Sequence, residues 1–154
     1  MNARLWFGSL VLAICATATA GAQALSVAGG NQVLQITSAQ PGQQPTPVVN
    51  TLTTLRYRWQ AQVSKITIST SCPGQRFSLH ARAASTQDGS PAPAVTLTHG
   101  MPAADLIRDI PAWWFLPLTR QATVEYTASA TFEQGNSTEL GADSHVITFT
   151  LVAQ

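Results

Sequence analysis

The chain has little cysteine and little charge. Only two of its 154 residues are cysteines, 10% are charged, and the formal net charge is +1. Cys15 falls in the leader described below, so Cys72 stands alone afterwards and no intramolecular disulfide can hold the fold. Balanced charge also excludes the basic surface that nucleic acids or anionic membranes attract. We therefore predict a domain that is stabilised by its core alone and has no nucleic-acid partner.

The chain also has no apolar run long enough to span a membrane, and its longest largely apolar stretch lies near the N-terminus. Arg4 precedes a largely apolar stretch, residues 5–14 (LWFGSLVLAI), and Ala-x-Ala sites follow at 18–20 and 22–24. These are the parts of a secretory signal peptide, and the apolar stretch is too short for a membrane span. The sequence predicts a signal peptide over residues 1–24 and export to the periplasm or the cell exterior. No membrane span is expected after its removal.

The remaining residues, 25–154, predict a single all-β domain. Apolar residues recur at every second position over 122–132, and again at Ile147, Phe149 and Leu151. A period of two indicates strands with one buried face and one solvated face. Further short strands, divided by turn-rich segments, are predicted at 25–28, 32–37, 48–59, 63–70, 76–83 and 94–98.

About eight strands at this spacing predict an antiparallel two-sheet β-sandwich. Pro-rich segments between the strands suit chain that crosses from one sheet to the other. The one helical candidate is residues 103–110, which lie between Pro102 and Pro111 and are long enough for little more than a single turn.

Three segments carry a resemblance to a known group of proteins. Residues 105–111 (DLIRDIP), 122–132 (ATVEYTASATF) and 143–152 (DSHVITFTLV) resemble recurring elements of bacterial exported β-sandwich proteins. Those elements are D-[LV]-[IV]-x-x-I, Y-T-x-S-A-T and D-x-H-x-V-T-[FY]-T-[LV], and most members of the group have no known function. The resemblance covers about residues 52 to 154. It implies an exported immunoglobulin-like module and no particular activity.

The chain departs from that group at residues 112–118 (AWWFLPL), where a short polar linker is expected. Consecutive residues of an extended chain point to opposite faces, so one core cannot take Trp113, Trp114 and Phe115 together. Exposed aromatic rings stack on sugars or anchor a protein partner. Buried rings would instead close the end of the core. The segment predicts a partner-binding or ligand-binding surface, with the core plug as the alternative.

No spacing of ligand-type or catalytic residues predicts a metal or catalytic site. No i, i+2 or i, i+4 relation connects His80, His99 and His145, and Cys72 lacks the compact Cys–His–Met loop of a copper site. A catalytic triad converges from separate elements, whereas residues 143–145 (DSH) are adjacent. We expect the Asp and Ser of this tripeptide to bond local backbone as a cap or turn.

Two functional classes follow from the sequence. The first is a non-enzymatic structural or interaction module that assembles with itself or with another exported protein. The second is a carbohydrate-binding module that stacks polysaccharide rings on Trp113 and Trp114. No enzymatic activity, cofactor or metal is predicted.

Overall fold

The computed structural model describes residues 13–14, 24–37, 43–58, 60–112, 118–131, 134 and 142–154. The strands in this part of the chain are Ala13–Ile14 (β1), Leu25–Ala28 (β2), Val48–Arg58 (β3), Ser64–Ser71 (β4), Ser78–Thr86 (β5), Ser90–Pro91 (β6), Val95–Leu97 (β7), Ala104–Ile110 (β8), Thr119–Ser129 (β9) and Val146–Ala153 (β10). The all-β class is confirmed. The number exceeds the predicted eight in part because β1 and β6 are two residues each. Within the described ranges, no helix has the length and apolar character needed to cross a bilayer.

The strands form two sheets. One has the order β1-β10-β4-β8-β6 and the other the order β2-β3-β9-β5-β7. Neighbouring strands are antiparallel, except that β1 runs parallel to the start of β10. Because β10 pairs with β4 and β9 pairs with β3 and β5, most partners are distant in the chain. The predicted two-sheet β-sandwich is confirmed.

One cluster of buried side chains joins the inner faces of the two sheets. The alternation predicted near the C-terminus is confirmed, since Ile147 is 0% and Phe149 2% exposed while Thr150 is exposed. Full burial of such an aliphatic or aromatic side chain contributes about 1.5–3 kcal/mol. The other largest buried side chains of the cluster are Tyr57, Tyr126, Leu55, Ile66, Ile68, Leu97, Leu106, Ile107 and Ile110. The core is therefore continuous across both sheets.

The prediction of a helical turn over 103–110 is wrong, because this segment forms strand β8 between β4 and β6. Leu106, Ile107 and Ile110 are fully buried, which is a spacing that a helix also produces. In strand β8 this burial pattern arises from irregular backbone. Its register with β4 shifts twice, and Asp109 adopts a positive φ of 55°. These irregularities break the alternation that would have identified a strand.

The prediction of a strand over 32–37 is also wrong, because these residues lie outside any strand. Gln32 and Leu34 are buried, so the alternation reflects side-chain packing without ladder pairing. The Gln32 amide nitrogen donates to the carbonyl oxygen of Gly29, and its Oε1 accepts from the Asn50 Nδ2 at 3.2 Å. Side-chain hydrogen bonds thus hold this segment against the start of β3.

Candidate functional site

Three ionisable side chains meet where β4 ends and β10 begins. Cys72 directly follows β4, while Asp143 and His145 precede β10. Val146 pairs with Ser71, so the same register carried one residue further sets His145 opposite Cys72. One ligating atom from each of the three side chains lies within 4.8 Å of the other two. We call Cys72, Asp143 and His145 the polar cluster.

The polar cluster is buried at the end of the core. Cys72 is 1%, His145 2% and Asp143 6% exposed. Because side chains alternate along a strand, His145 shares the inner face of its sheet with Ile147 and Phe149. Burial of polar and ionisable groups is costly unless they are hydrogen-bonded. The partners of the cluster therefore decide what it does.

Asp143 holds the turn that follows β4. Its Oδ2 accepts hydrogen bonds from the backbone N–H groups of Arg76 at 2.8 Å and Phe77 at 2.7 Å. The turn itself is closed by the N–H of Gln75, which donates to the Cys72 carbonyl oxygen at 3.1 Å. Hydrogen bonds to a charged group contribute about 1.5–3 kcal/mol each. The predicted local cap is therefore wrong for Asp143, whose partners are 66 and 67 positions away.

His145 is a neutral, oriented imidazole. Burial lowers the pKa of His145, and the negative charge of Asp143 opposes this to a smaller extent. The hydroxyl of Thr70 lies 3.2 Å from Nδ1 and hydrogen-bonds it. The same hydroxyl donates to the Val146 carbonyl oxygen at 3.4 Å. A hydroxyl that donates to a carbonyl oxygen can accept from Nδ1–H, and in that tautomer the lone pair of the ring is at Nε2.

Cys72 is a protonated thiol. Burial raises the pKa of the Cys72 thiol, the charge of Asp143 raises it further, and a backbone hydrogen bond from Ser144 partly opposes both. A nucleophilic cysteine needs the opposite shift, toward the thiolate. The nearby imidazole and carboxylate therefore do not make Cys72 an activated nucleophile.

Two further residues tie the loop after β7 to the polar cluster. Nδ1 of His99 accepts the N–H of Cys72 at 3.0 Å. The Oε1 of Gln75 accepts the N–H of His99 at 2.9 Å, and its Nε2 donates to the Leu97 carbonyl oxygen at 2.8 Å. Three loops thus close this end of the sandwich through hydrogen bonds.

Sequence reasoning predicted no site from Cys72 and the three histidines, and the structure brings His145 alone of the three into the polar cluster. His80 lies on β5 of the other sheet, between buried neighbours, and its Nδ1 contacts the Thr96 hydroxyl at 3.1 Å. His99 meets Cys72 through the hydrogen bond from the Cys72 backbone N–H to its Nδ1. The signal that could have found the polar cluster is the antiparallel pairing of β4 with β10, since that register brings residues 72 and 145 together.

β10 forms a long edge of its sheet. It has eight residues, of which β1 pairs only with Val146 and Ile147. The N–H of Gln154 donates to the Val63 carbonyl oxygen at 2.9 Å, so even-numbered positions direct their backbone groups toward β4. Odd-numbered positions direct theirs away from β4. The backbone groups of Phe149, Leu151 and Ala153 therefore face away from the sheet, beyond the reach of β1.

The other outermost strands of the two sheets are also short, and β8, which β6 covers only at Ile107 and Arg108, differs from β10 in carrying charged residues. β6 has two residues, one of them Pro91, while β7 has three residues and β2 has four. Short strands and prolines are devices that prevent edge-to-edge association. β10 has neither device, and none of its residues is charged. Among the strands that the structure describes, β10 is the edge most suited to accept another strand.

The predicted binding residues Trp113, Trp114 and Phe115 lie outside the described residues. They belong to the connection from β8 to β9, which are in different sheets. On its two sides, Ile110 is fully buried and Leu118 is 42% exposed. The surface and core-plug interpretations both stay predictions.

Comparison of the chain with models of protein families, with curated proteins and with solved structures returned no significant match.

Proposed function

We propose that this protein is an exported, non-enzymatic interaction module, and that a second copy of the chain pairs with it through the edge of β10. The observation that carries the proposal is the eight-residue edge strand, which has neither charge nor proline. Outward-facing backbone N–H and C=O groups on such a strand form a template for another strand.

The cover of this edge belongs to the segment predicted to be removed. β1 is Ala13–Ile14, within the signal peptide predicted over residues 1–24. Cleavage would take β1 away and uncover the outward-facing groups of Ile147 as well. The mature chain would then present the whole length of β10 to a partner.

A second copy fits the chemistry of this edge. In a two-fold dimer the same surface of each copy meets, so β10 would lie antiparallel to its own counterpart. Like charges directly opposite each other on neighbouring strands are destabilising. Because β10 has no charged residue, self-pairing brings no such repulsion. The two sheets would join into one continuous sheet across the dimer.

The burial of the polar cluster and the raised pKa of its thiol support a non-enzymatic role. Cys72, Asp143 and His145 are each at least nine-tenths buried, so a substrate has no direct access to them. The raised pKa of the Cys72 thiol further opposes nucleophilic chemistry.

The test measures the mass of the mature protein, residues 25–154, in solution. Sedimentation velocity over a range of concentrations should show a dimer. The double variant Thr148→Lys, Thr150→Lys adds two charges to the outer face of β10 and should give a monomer with a similar melting temperature. A matched control, Thr51→Lys with Thr119→Lys, adds the same charge at exposed positions of the other sheet and should stay dimeric.

A second variant tests the backbone groups directly. Ala153→Pro removes an N–H that points away from β4, so it should weaken the dimer while leaving the β4–β10 ladder intact. A wild-type protein that stays monomeric throughout would refute the proposal. So would a dimer that neither the lysine pair nor the proline weakens.

A further inference from the structure

The polar cluster has the composition of a transition-metal site. It combines a thiol, an imidazole and a carboxylate with one ligating atom of each within 4.8 Å of the others. Hard cations such as Ca²⁺ and Mg²⁺ take oxygen ligands, whereas mixed sulfur, nitrogen and oxygen sets are typical of Zn²⁺. The residue types alone therefore favour zinc.

Each of the three side chains is oriented by a partner that leaves an atom available for an ion. Thr70 contacts Nδ1 of His145, so an ion would take Nε2. The backbone N–H groups of Arg76 and Phe77 bond Oδ2 of Asp143, which leaves the other carboxylate oxygen. Outer partners that orient the ligands in this way accompany protein metal sites in general.

The sulfur of Cys72 has an outer partner of the same kind. A backbone hydrogen bond from Ser144 reaches it, as donors commonly do for metal-bound thiolates. In a tetrahedral zinc site with bonds of about 2.0–2.3 Å, ligand atoms lie about 3.5 Å apart. Inward movements of about 1 Å would bring the three ligand atoms of the cluster to that spacing.

We propose that Cys72, Asp143 and His145 bind one Zn²⁺ ion, with a water molecule as the fourth ligand. The thiolate sulfur, the imidazole Nε2 and one carboxylate oxygen coordinate the ion, and the thiol proton leaves to solvent. Because the site is buried between the end of β4 and the start of β10, the bound ion stabilises the closed end of the sandwich.

The test titrates metal into protein that has been dialysed against a chelator. Zn²⁺ should bind at one ion per chain by mass spectrometry of the native protein. At a concentration about 100-fold above its Kd it should raise the melting temperature by about 5–10 °C. Co²⁺ should give a thiolate-to-metal absorption band that the Cys72→Ser variant lacks.

Three variants separate metal binding from a structural role of the same residues. Each is compared with its own metal-free melt, so a loss of intrinsic stability does not affect the comparison. Cys72→Ser should abolish the zinc-dependent rise. Thr70→Val keeps all three ligands but frees the imidazole, and should weaken zinc binding about 10–100-fold. The control His80→Gln, on the other sheet, should bind zinc like the wild type.

The proposal fails if Co²⁺ gives no thiolate band, or if zinc raises the melting temperature equally in the wild type and Cys72→Ser. Equal zinc affinities of Thr70→Val and the wild type would also contradict the oriented imidazole. The dimer experiment adds no metal, so its failure and the failure of the zinc proposal are distinguishable.

Discussion

Two tyrosines of the core offer a matched test of buried hydrogen bonding. Tyr57 and Tyr126 are both 0% exposed. The Tyr57 hydroxyl donates to the Asp88 carbonyl oxygen at 2.7 Å and accepts the Asp88 N–H at 3.3 Å. The buried hydroxyls of Tyr126 and Thr53 make no hydrogen bond of normal geometry with the described residues; they lie near each other, and Thr53 lowers the pKa of Tyr126 less than burial raises it. Replacing each tyrosine by Phe removes a hydroxyl oxygen, which is hydrogen-bonded in Tyr57 and has no well-formed hydrogen bond in Tyr126.

The expected changes have opposite signs. Tyr57→Phe leaves the Asp88 carbonyl oxygen and N–H without their partner, which should lower the free energy of unfolding by about 1–3 kcal/mol. At this chain length that is a fall in melting temperature of about 3–12 °C. Tyr126→Phe removes a hydroxyl that lost its hydration without gaining a bond. It should be neutral or stabilising by up to about 2 kcal/mol.

Thermal and urea unfolding followed by circular dichroism measure both changes. Tyr126→Phe should match or exceed the wild type, while Tyr57→Phe should fall below it. If Tyr126→Phe is as destabilising as Tyr57→Phe, the Tyr126 hydroxyl is hydrogen-bonded after all and the reasoning is refuted. The nearby Thr53 would then be the partner, since Thr53 interacts with Tyr126 and opposes the rise that burial causes in its pKa. The combined effect of Thr53→Val and Tyr126→Phe would in that case be non-additive.

Three further outcomes are expected. Intact-mass measurement of the exported protein should find Leu25, or failing that Gly21, as the first residue, and a lipid-modified Cys15 as the first residue would contradict the predicted signal peptide. Phe149→Ala should cost about 3–5 kcal/mol in urea unfolding because it leaves a cavity beside Ile68 on β4, whereas Thr150→Ala on the exposed face should cost little. Polysaccharides that stack on Trp113 and Trp114 should quench the tryptophan fluorescence of the wild type, and replacing both residues by Ser should abolish association in a binding or size-exclusion assay without changing the melt. A collapsed melt would instead favour the core plug.

Local patterns predicted the strands whose two faces differ in environment. The alternation at 147–151 sufficed because β10 is regular and its inner face is buried. The same reasoning failed at β8, where Asp109 and two register shifts place Ile107 and Ile110 on the inside together. A strand with such irregularities produces the burial pattern of a short helix. Its assignment as a strand depends on pairing with β4 and β6, which lie outside any short stretch of sequence around β8.

The polar cluster was beyond sequence reasoning for a related reason. Cys72 and His145 are 73 positions apart, and only the register of β4 against β10 places them opposite each other. Spacing rules identify ligands and catalytic groups within one element, and here each element supplies only part of the set. The β10 edge was likewise hidden, since an edge strand and an interior strand can share the same alternation.

The late position of β10 in the chain has a consequence for how the domain folds. Partners across the β4–β10 ladder are far apart: Thr70 and His145 by 75 positions, Thr67 and Thr150 by 83. Long-range pairing of this kind slows folding, because the entropy of closing the loop is lost before the contacts form. During synthesis, β4 must also wait until β10 has emerged before this ladder can form. A chain that lacks β10 would leave one edge of β4 unpaired, with β8 on the other edge. We therefore expect chains that lack β10 to depend on chaperones far more than chains in which β10 is present.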